Sequence, residues 1–248
     1  MSRGKSRNET VAFHYSLLYS DAMDKTMQAF PPGADGAAPC CKPAGRPRAS
    51  EIEARHQNLI DIAGELFLKL GYGKVSLELI AREAHVAVRT IYVKFGGKAG
   101  LFKAVLDNNR KKFFALSDME NDPRPLKEVI LDFALHFLDM IATPEAVTLQ
   151  RMVIAEASSN PELSESFFDA GPRQTRDMLQ RFFARADVRA ALRDEVDIAI
   201  LPVFLANSVI GDQFGRFLFG PGTQTPEENL RDLEQRLDLF YRAVLKHP

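Results

Sequence analysis

The sequence predicts an all-α protein in which a small N-terminal unit of three helices precedes a longer helical bundle. Two observations support this fold class. From residue 49 onward, apolar residues recur every three or four positions, which is the period of a helix with one buried face. No segment shows a competing alternation with a period of two, and Pro and Gly fall where one helical pattern stops and the next begins.

Residues 1–48 are predicted to be a flexible N-terminal tail. Their segment PPGADGAAPCCKPAGRPR is rich in Pro, Gly and Ala and offers too little apolar surface to order itself. At its end, Arg46 and Arg48 either form a basic arm that enters a DNA minor groove or belong to a solvated linker, and the sequence leaves both open. The adjacent Cys40 and Cys41 make a poor disulfide, which favours a reducing, cytoplasmic location.

The first predicted helix runs from about Ser50 to Leu70 and supports the N-terminal unit. Ser50 and Glu53 have the spacing of a capping box, apolar residues follow at helical spacing, and Gly71 ends the pattern. We expect the apolar stripe of this helix to pack against the two shorter helices that follow.

Residues 75–101 predict two short helices joined by a tight turn. Ser76 is placed to cap the first helix, and a break follows. The second helix covers residues 88–95, where Ile91 and Phe95 would be buried and the polar side chains between them would face outward. Two short helices, the second with an exposed polar face, are the layout of a helix-turn-helix DNA-binding unit.

The distribution of charge also favours a nucleic-acid partner. Residues 46–112 contain thirteen basic and seven acidic side chains, whereas residues 113–248 contain fourteen and twenty-two. Lys98 opens the next helix, where free N–H groups and an ammonium together suit a phosphate. We therefore predict contacts with double-stranded DNA from Arg46, Arg48, Ser76, Ala87, Val88, Arg89, Thr90, Tyr92, Val93, Lys94 and Lys98.

The prolines within residues 118–125 mark a predicted domain boundary. We place a DNA-binding domain at residues 49–117 and a C-terminal ligand-binding and dimerisation domain at residues 123–248. The second domain also follows a helical pattern, and its aromatic and methionine side chains either line an apolar cavity or fill a core. The candidate pocket residues are Phe133, Phe137, Met140, Met152, Phe167 and Phe182.

The last two predicted helices have more apolar surface than one subunit can cover. The first is expected over residues 194–219, kinked or eased by Pro202, and the second over residues 225–246. A helix that is apolar all round needs a partner on each face, so these two helices are the predicted homodimer surface. The predicted interface residues are Leu201, Leu205, Val209, Leu233, Leu237 and Phe240.

No pattern points to catalysis, a metal or a cofactor, and we predict a protein that is not an enzyme. The chain contains neither a phosphate-binding glycine loop nor a nucleophile elbow. Asp194, Glu195 and Asp197 form a carboxylate cluster that suits helix capping better than metal binding. The longest apolar run, residues 198–211, is interrupted by Pro202, so no membrane span is expected.

The run IAREAHVAVRTIYVKFGGKAGL resembles the signature of the TetR family of bacterial transcription regulators. Two positions depart from the usual pattern: His85 stands where the family most often has Gly in the turn, and Ala87 where it most often has a Ser or Thr cap. Residues 151–160 resemble the AefR-like subset of TetR C-terminal domains. The matching signature positions are Ile80, Ala81, Ala84, Val86, Ile91, Tyr92, Phe95, Lys98 and Leu101.

The resemblance implies a homodimeric transcription regulator, most often a repressor, that leaves a palindromic operator when a small apolar or aromatic effector binds. It also implies that the last two helices pack against their copies as a four-helix bundle. Two alternatives stay open. The C-terminal domain could serve only dimerisation or protein docking, or the chain could bind a ligand and have lost DNA binding, as His85 and Ala87 would allow.

Overall fold

A computed structural model describes residues 49–114, 118–220 and 225–247, so the predicted tail with Arg46 and Arg48 lies outside the described residues. Within them the all-α prediction is confirmed: twelve α-helices are joined by turns, and a π-helical turn, Asp169–Arg173, connects α7 to α8. The helices are α1 (Ala49–Leu70), α2 (Leu77–Glu83), α3 (Val88–Phe95), α4 (Lys98–Phe114), α5 (Leu126–Ala142), α6 (Pro144–Glu156), α7 (Pro161–Phe168), α8 (Gln174–Ala184), α9 (Ala186–Ala191), α10 (Leu201–Ile210), α11 (Gln213–Phe219) and α12 (Pro226–Val244).

The chain divides into two compact units. The larger comprises residues 48–222 and 233–248 and contains every cluster and site described below. The other comprises residues 1–47 and 223–232, of which the structure describes residues 225–232, including the first turns of α12. The predicted boundary between a DNA-binding and a C-terminal domain stays a prediction.

A first hydrophobic cluster holds α1 to α4 together. At its centre the ring centroids of Phe67, Tyr72 and Phe102 lie 5.4–5.6 Å apart, at distances that suit aromatic contacts. Gly64 allows α1 to approach α4, because a Cβ atom at this position would come within 3.2 Å of Val105. Three apolar residues of α6 and α7 belong to the same cluster: Leu149, Val153 and Leu163.

A second hydrophobic cluster joins α5, α8, α10 and the second half of α12. Phe133 and Phe137 stack with their ring centroids 5.4 Å apart, and Phe183 contacts Phe182 and Phe240 at 5.4 and 6.4 Å. All five side chains are buried. Five of the eleven phenylalanines beyond residue 125 therefore fill this core.

Four arginines satisfy carbonyl groups that are left free where helices or turns end. The last carbonyl groups of a helix have no partner within it, and the planar guanidinium fork can bind two of them at once. Each of the four donates two hydrogen bonds of 2.8–3.1 Å to backbone oxygens. Arg151 binds the end of α11, Arg185 the turns at residues 119 and 122, Arg193 the end of α12, and Arg236 the end of α10.

Two predicted elements need correction. Ser50 lies inside the first turn of α1 and does not precede it, so it is not the cap of this helix. The predicted helix over residues 194–219 is wrong: α10 begins only at Leu201, with Pro202 in its first turn, where a missing N–H costs nothing. Gly211 then ends α10 at φ 54°. Among the described residues, no helix is both long and apolar enough to cross a membrane.

Candidate nucleic-acid interface

The helix-turn-helix begins with a capped helix. The Ser76 side-chain oxygen accepts a hydrogen bond from the Leu79 N–H at 3.1 Å, as predicted, and Glu78 lies in the first turn of α2. Ile80 and Ala81 face the core, being 0% and 3% exposed. The helix α2 is therefore fixed at its start and along its buried side.

The turn between α2 and α3 has the two irregularities that its sequence predicts. His85 adopts φ 53°, which is uncommon for any residue except Gly. Ala87 has the extended backbone of a capping residue, with φ −73° and ψ 141°, but its side chain has no atom that can accept a hydrogen bond. The Thr90 N–H instead binds the Ala87 carbonyl at 2.8 Å, so the recognition helix α3 starts without a side-chain cap.

Replacing Ala87 by Ser is expected to raise the free energy of unfolding by about 1 kcal/mol, because the backbone already has the conformation that a cap needs. Ser76→Ala, which removes an existing cap, should lower it by a similar amount. Urea unfolding followed by circular dichroism measures both changes. A loss in Ser76→Ala without a gain in Ala87→Ser would contradict the account of the turn.

The outer face of α3 is open to solvent. Tyr92 is 56% and Val93 74% exposed, and Arg89 and Lys94 are exposed with them, whereas Ile91 is fully buried. A contiguous exposed patch that includes apolar side chains is a candidate interaction surface. The predicted residues Ala87, Arg89, Tyr92, Val93 and Lys94 thus share this uncovered side, while Val88 and Thr90 are half-buried at its edge.

A tight connection holds α3 against its neighbours. The ring of His56 in α1 stacks on Phe95 with centroids 5.1 Å apart. Gly96 and Gly97 then take φ values of 76° and 136°, which side chains rarely allow. At Gly100 a Cβ atom would overlap the carbonyl oxygen of Phe95, so the first turn of α4 requires a glycine there. The orientation of α3 is therefore determined by close backbone contact with α4.

Lys98, the predicted phosphate ligand, is held within the protein. Its Nζ atom lies 4.2 Å from the centroid of the Tyr72 ring, and Tyr72 is only 2% exposed. Burial lowers the pKa of the Lys98 ammonium, while the carboxylates of Glu156 and Glu162 act in the opposite direction. Burial and the same two carboxylates raise the pKa of Tyr72 to about 12.

The structure does not bring the six predicted pocket residues together. Phe133, Phe137 and Phe182 belong to the second hydrophobic cluster, with Met140 packed against it, whereas Met152 and Phe167 pack against the first. A cavity of about 250 Å³ lies elsewhere, between α4 and α8, and most of its lining is charged. It is lined by Arg110, Glu120, Gln174, Asp177, Met178 and Arg181.

The residues predicted to form a dimer interface are buried within their own subunit. Leu201, Leu205, Val209, Leu233, Leu237 and Phe240 are at most 2% exposed, because they face the core of their own subunit. The apolar residues that α10 and α12 expose are Val203, Phe204 and Leu239, at 42%, 41% and 65%, with Ile200 next to α10 at 59%.

Two family descriptions match the chain. Residues 59–105 match bacterial regulatory proteins of the tetR family, and residues 128–243 match the C-terminal domain of AefR-like transcriptional repressors. The chain belongs to the TetR family. It is therefore a DNA-binding transcription regulator.

Three known regulators align over about two thirds or more of the chain. YdeS of Bacillus subtilis (strain 168), an HTH-type transcriptional regulator, is 25% identical over 178 residues, which are 68% of this chain and 84% of YdeS. The HTH-type transcriptional repressor ComR of Escherichia coli (strain K12) is 23% identical over 169 residues, or 66% of this chain and 78% of ComR. The structure of the flavonoid-responsive regulator FrrA shares the fold, with a TM-score of 0.65 at 24% identity over 79% of this chain and 100% of FrrA.

Three residues that surround the helix-turn-helix could not be found by sequence reasoning. Gly100 is one of several glycines near the turn, and only the path of the backbone shows that it contacts Phe95. Glu156 and Glu162 lie far from Lys98 in sequence, and each has the pattern of an ordinary solvated side chain at the end or start of a helix. No local signal would have linked them to the DNA-binding unit.

Proposed function

We propose that this protein is a cytoplasmic homodimeric repressor that binds a near-palindromic DNA operator and releases it when a small molecule binds. The DNA-binding part of this proposal rests on the exposed side of α3. Arg89, Tyr92 and Lys94 are exposed there, while Ile91 on the same helix is buried in the core. An exposed helix with arginine, tyrosine and lysine side chains suits the major groove. The match of residues 128–243 to AefR-like repressors supports repression.

The exposed apolar side chains of α10 and α12 support a homodimer. The two helices pack antiparallel: Phe204 lies against Phe240 with ring centroids 5.2 Å apart, and Arg236 binds the Ser208 carbonyl at 2.8 Å. Val203 and Leu239, each next to one of the paired phenylalanines, remain exposed. Covering them with the same surface of a second copy would make a four-helix interface, and twofold symmetry would place two α3 helices on successive major grooves.

An effector site is supported by the cavity beside α4. Because α4 connects α3 to the rest of the subunit, a ligand in the cavity touches the helix that sets the position of the DNA-binding unit. The cavity lining is mostly charged, with Arg110, Arg181 and Asp177 among the residues, which suits a ligand with polar groups. The phenylalanines instead lead us to expect a small apolar or aromatic effector. FrrA, which shares the fold, is described as flavonoid-responsive.

The alternative is a DNA-binding dimer without an effector, and it is favoured by the full burial of Phe133 and Phe182. One experiment distinguishes the effector-controlled repressor from this alternative. Operators are first selected from a random duplex library, and their binding is then titrated with flavonoids and other aromatic compounds that carry hydroxyl or carboxyl groups. Release of the selected DNA by one compound class supports the effector. Unchanged binding throughout, with dimers present, supports the alternative.

Arg89→Ala is expected to weaken binding to the selected operator by roughly 1–3 kcal/mol while changing affinity for random DNA much less, since base contacts carry the sequence preference. Fluorescence anisotropy with both duplexes measures the difference. The control is Arg242→Ala, which removes an exposed arginine of α12 that pairs with Asp238 at 2.7 Å. Equal losses on operator and random DNA would remove Arg89 from the residues that read bases.

A further inference from the structure

Lys98 lies where the DNA-binding unit meets α6 and α7. Its ammonium is placed over the Tyr72 ring at 4.2 Å, and the Tyr72 hydroxyl donates a long hydrogen bond of 3.5 Å to Glu162 Oε1 in the first turn of α7. Glu156, at the end of α6, lies beside the two glycines that flank Tyr72. Both carboxylates belong to the C-terminal half of the chain, and both favour the charged form of the Lys98 ammonium.

The loop after α1 brings Glu156 into this group. A Cβ atom at Gly71 would lie 3.3 Å from one Glu156 carboxylate oxygen, and one at Gly73 would lie 3.1 Å from the other. The two glycines therefore leave just enough room for the carboxylate against the loop that leads to α2. The end of α6 and the DNA-binding unit are in close contact here, so a shift of α6 would move Glu156 relative to Lys98.

The same ammonium stands at the start of α4, beside the recognition helix, where free backbone N–H groups suit a DNA phosphate. A lysine ammonium carries a single positive charge, so its attraction to the two nearby carboxylates and its attraction to a DNA phosphate act against each other. The carboxylates and the DNA backbone are competitors for one cation.

We propose that Glu156 and Glu162 form an acidic latch that holds Lys98 back from the DNA backbone, so that the position of α6 and α7 determines how many phosphates the protein binds. This inference rests on the proposed DNA-binding function. A change that draws α6 and α7 closer strengthens the latch and weakens DNA binding, and a change that separates them frees Lys98.

Glu162→Gln tests the latch because it removes one charge and keeps an oxygen that can accept the Tyr72 hydrogen bond. It is expected to tighten binding to the selected operator about two- to five-fold, the range that one exposed charge pair gives. Glu165→Gln is the matched control, since Glu165 is an exposed acid of the same helix and does not affect Lys98. Its effect on DNA affinity should be smaller than two-fold.

Lys98→Met provides the second arm. It should weaken binding to operator and random DNA alike and reduce the slope of log affinity against log salt by about one. In the Lys98→Met background, Glu162→Gln should no longer tighten binding. Thermal unfolding of all variants verifies that they are folded.

Each outcome has a separate meaning. If Glu162→Gln and Glu165→Gln tighten binding equally, or if the gain persists without Lys98, the carboxylates act as a general field and the latch is wrong. Weaker binding in Glu162→Gln, with an unchanged unfolding temperature, also overturns it. If the wild-type protein selects no sequence from the library, the proposed function itself fails.

Discussion

Val203→Glu and Leu239→Glu are each expected to produce a folded monomer whose affinity for the operator is lower by roughly 10²–10⁴-fold, because the second half-site is no longer held at high effective concentration. Both side chains are exposed in the subunit, at 42% and 65%, so the subunit itself tolerates a charge there. A glutamate in the interface between two copies, in contrast, would be buried without a partner.

Sedimentation velocity at micromolar protein and operator titration measure the two effects. Ile154→Glu is the matched control, because Ile154 is 57% exposed but lies on α6, outside the proposed interface. Leu205→Glu should behave differently from all three, since Leu205 is fully buried and a charge there should unfold the subunit. Folded dimers in both Val203→Glu and Leu239→Glu would contradict the proposed interface.

Gly100→Ala is expected to destabilise the protein by about 1–3 kcal/mol and to abolish specific DNA binding. The added methyl group would overlap the carbonyl oxygen of Phe95, which belongs to the backbone and cannot turn aside as a side chain could. The first turn of α4 and the end of α3 must therefore move apart. The recognition helix then loses the orientation that its exposed side chains need.

Gly215→Ala is the control for this prediction. Gly215 also lies inside a helix, α11, but nothing is within 4 Å of the position that a Cβ atom would take. Alanine should be neutral there or stabilise the helix by up to about 1 kcal/mol. Thermal unfolding and operator titration are the measurements, and a Gly100→Ala protein that keeps wild-type operator affinity would exclude the close contact.

Features of the helix-turn-helix that depend on neighbouring residues could be predicted from the sequence. The cap at Ser76, the positive φ at His85 and the missing cap at Ala87 each involve backbone groups within a few positions. The capping box at Ser50 followed the same logic and was wrong, because α1 already begins at Ala49. A capping pattern thus indicates that a helix starts nearby, within a turn.

The sequence of α10 could not show which side of this helix is buried in its own subunit. Apolar residues surround this helix, and periodicity identifies a buried side only when another side is polar. Leu201 and Leu205 are buried in the core, where α10 packs against α8 and α5, whereas Val203 and Phe204 stay partly exposed. Which side is buried therefore depends on two helices that lie well before α10 in the sequence.

The cavity and the surroundings of Lys98 were beyond sequence reasoning for a related reason. Arg110 and Arg181 come from separate helices, and each alone resembles a solvated charge. Only the packing of α4 against α8 brings them to the same cavity. Apolar residues that fill a core recur in the sequence with the period of a helix. Charged groups that meet only through tertiary structure show no such periodicity.

Because of the arginines that bind helix ends, we expect high ionic strength to affect the fold much less than it affects DNA binding. Arg151, Arg185, Arg193 and Arg236 act through short, directed hydrogen bonds to backbone oxygens of their own chain, and dissolved ions screen such partly enclosed contacts weakly. Binding to DNA depends on displacing counterions from phosphates, which concentrated salt opposes steeply. A salt wash should therefore strip nucleic acid from this protein during purification and leave its helices in place.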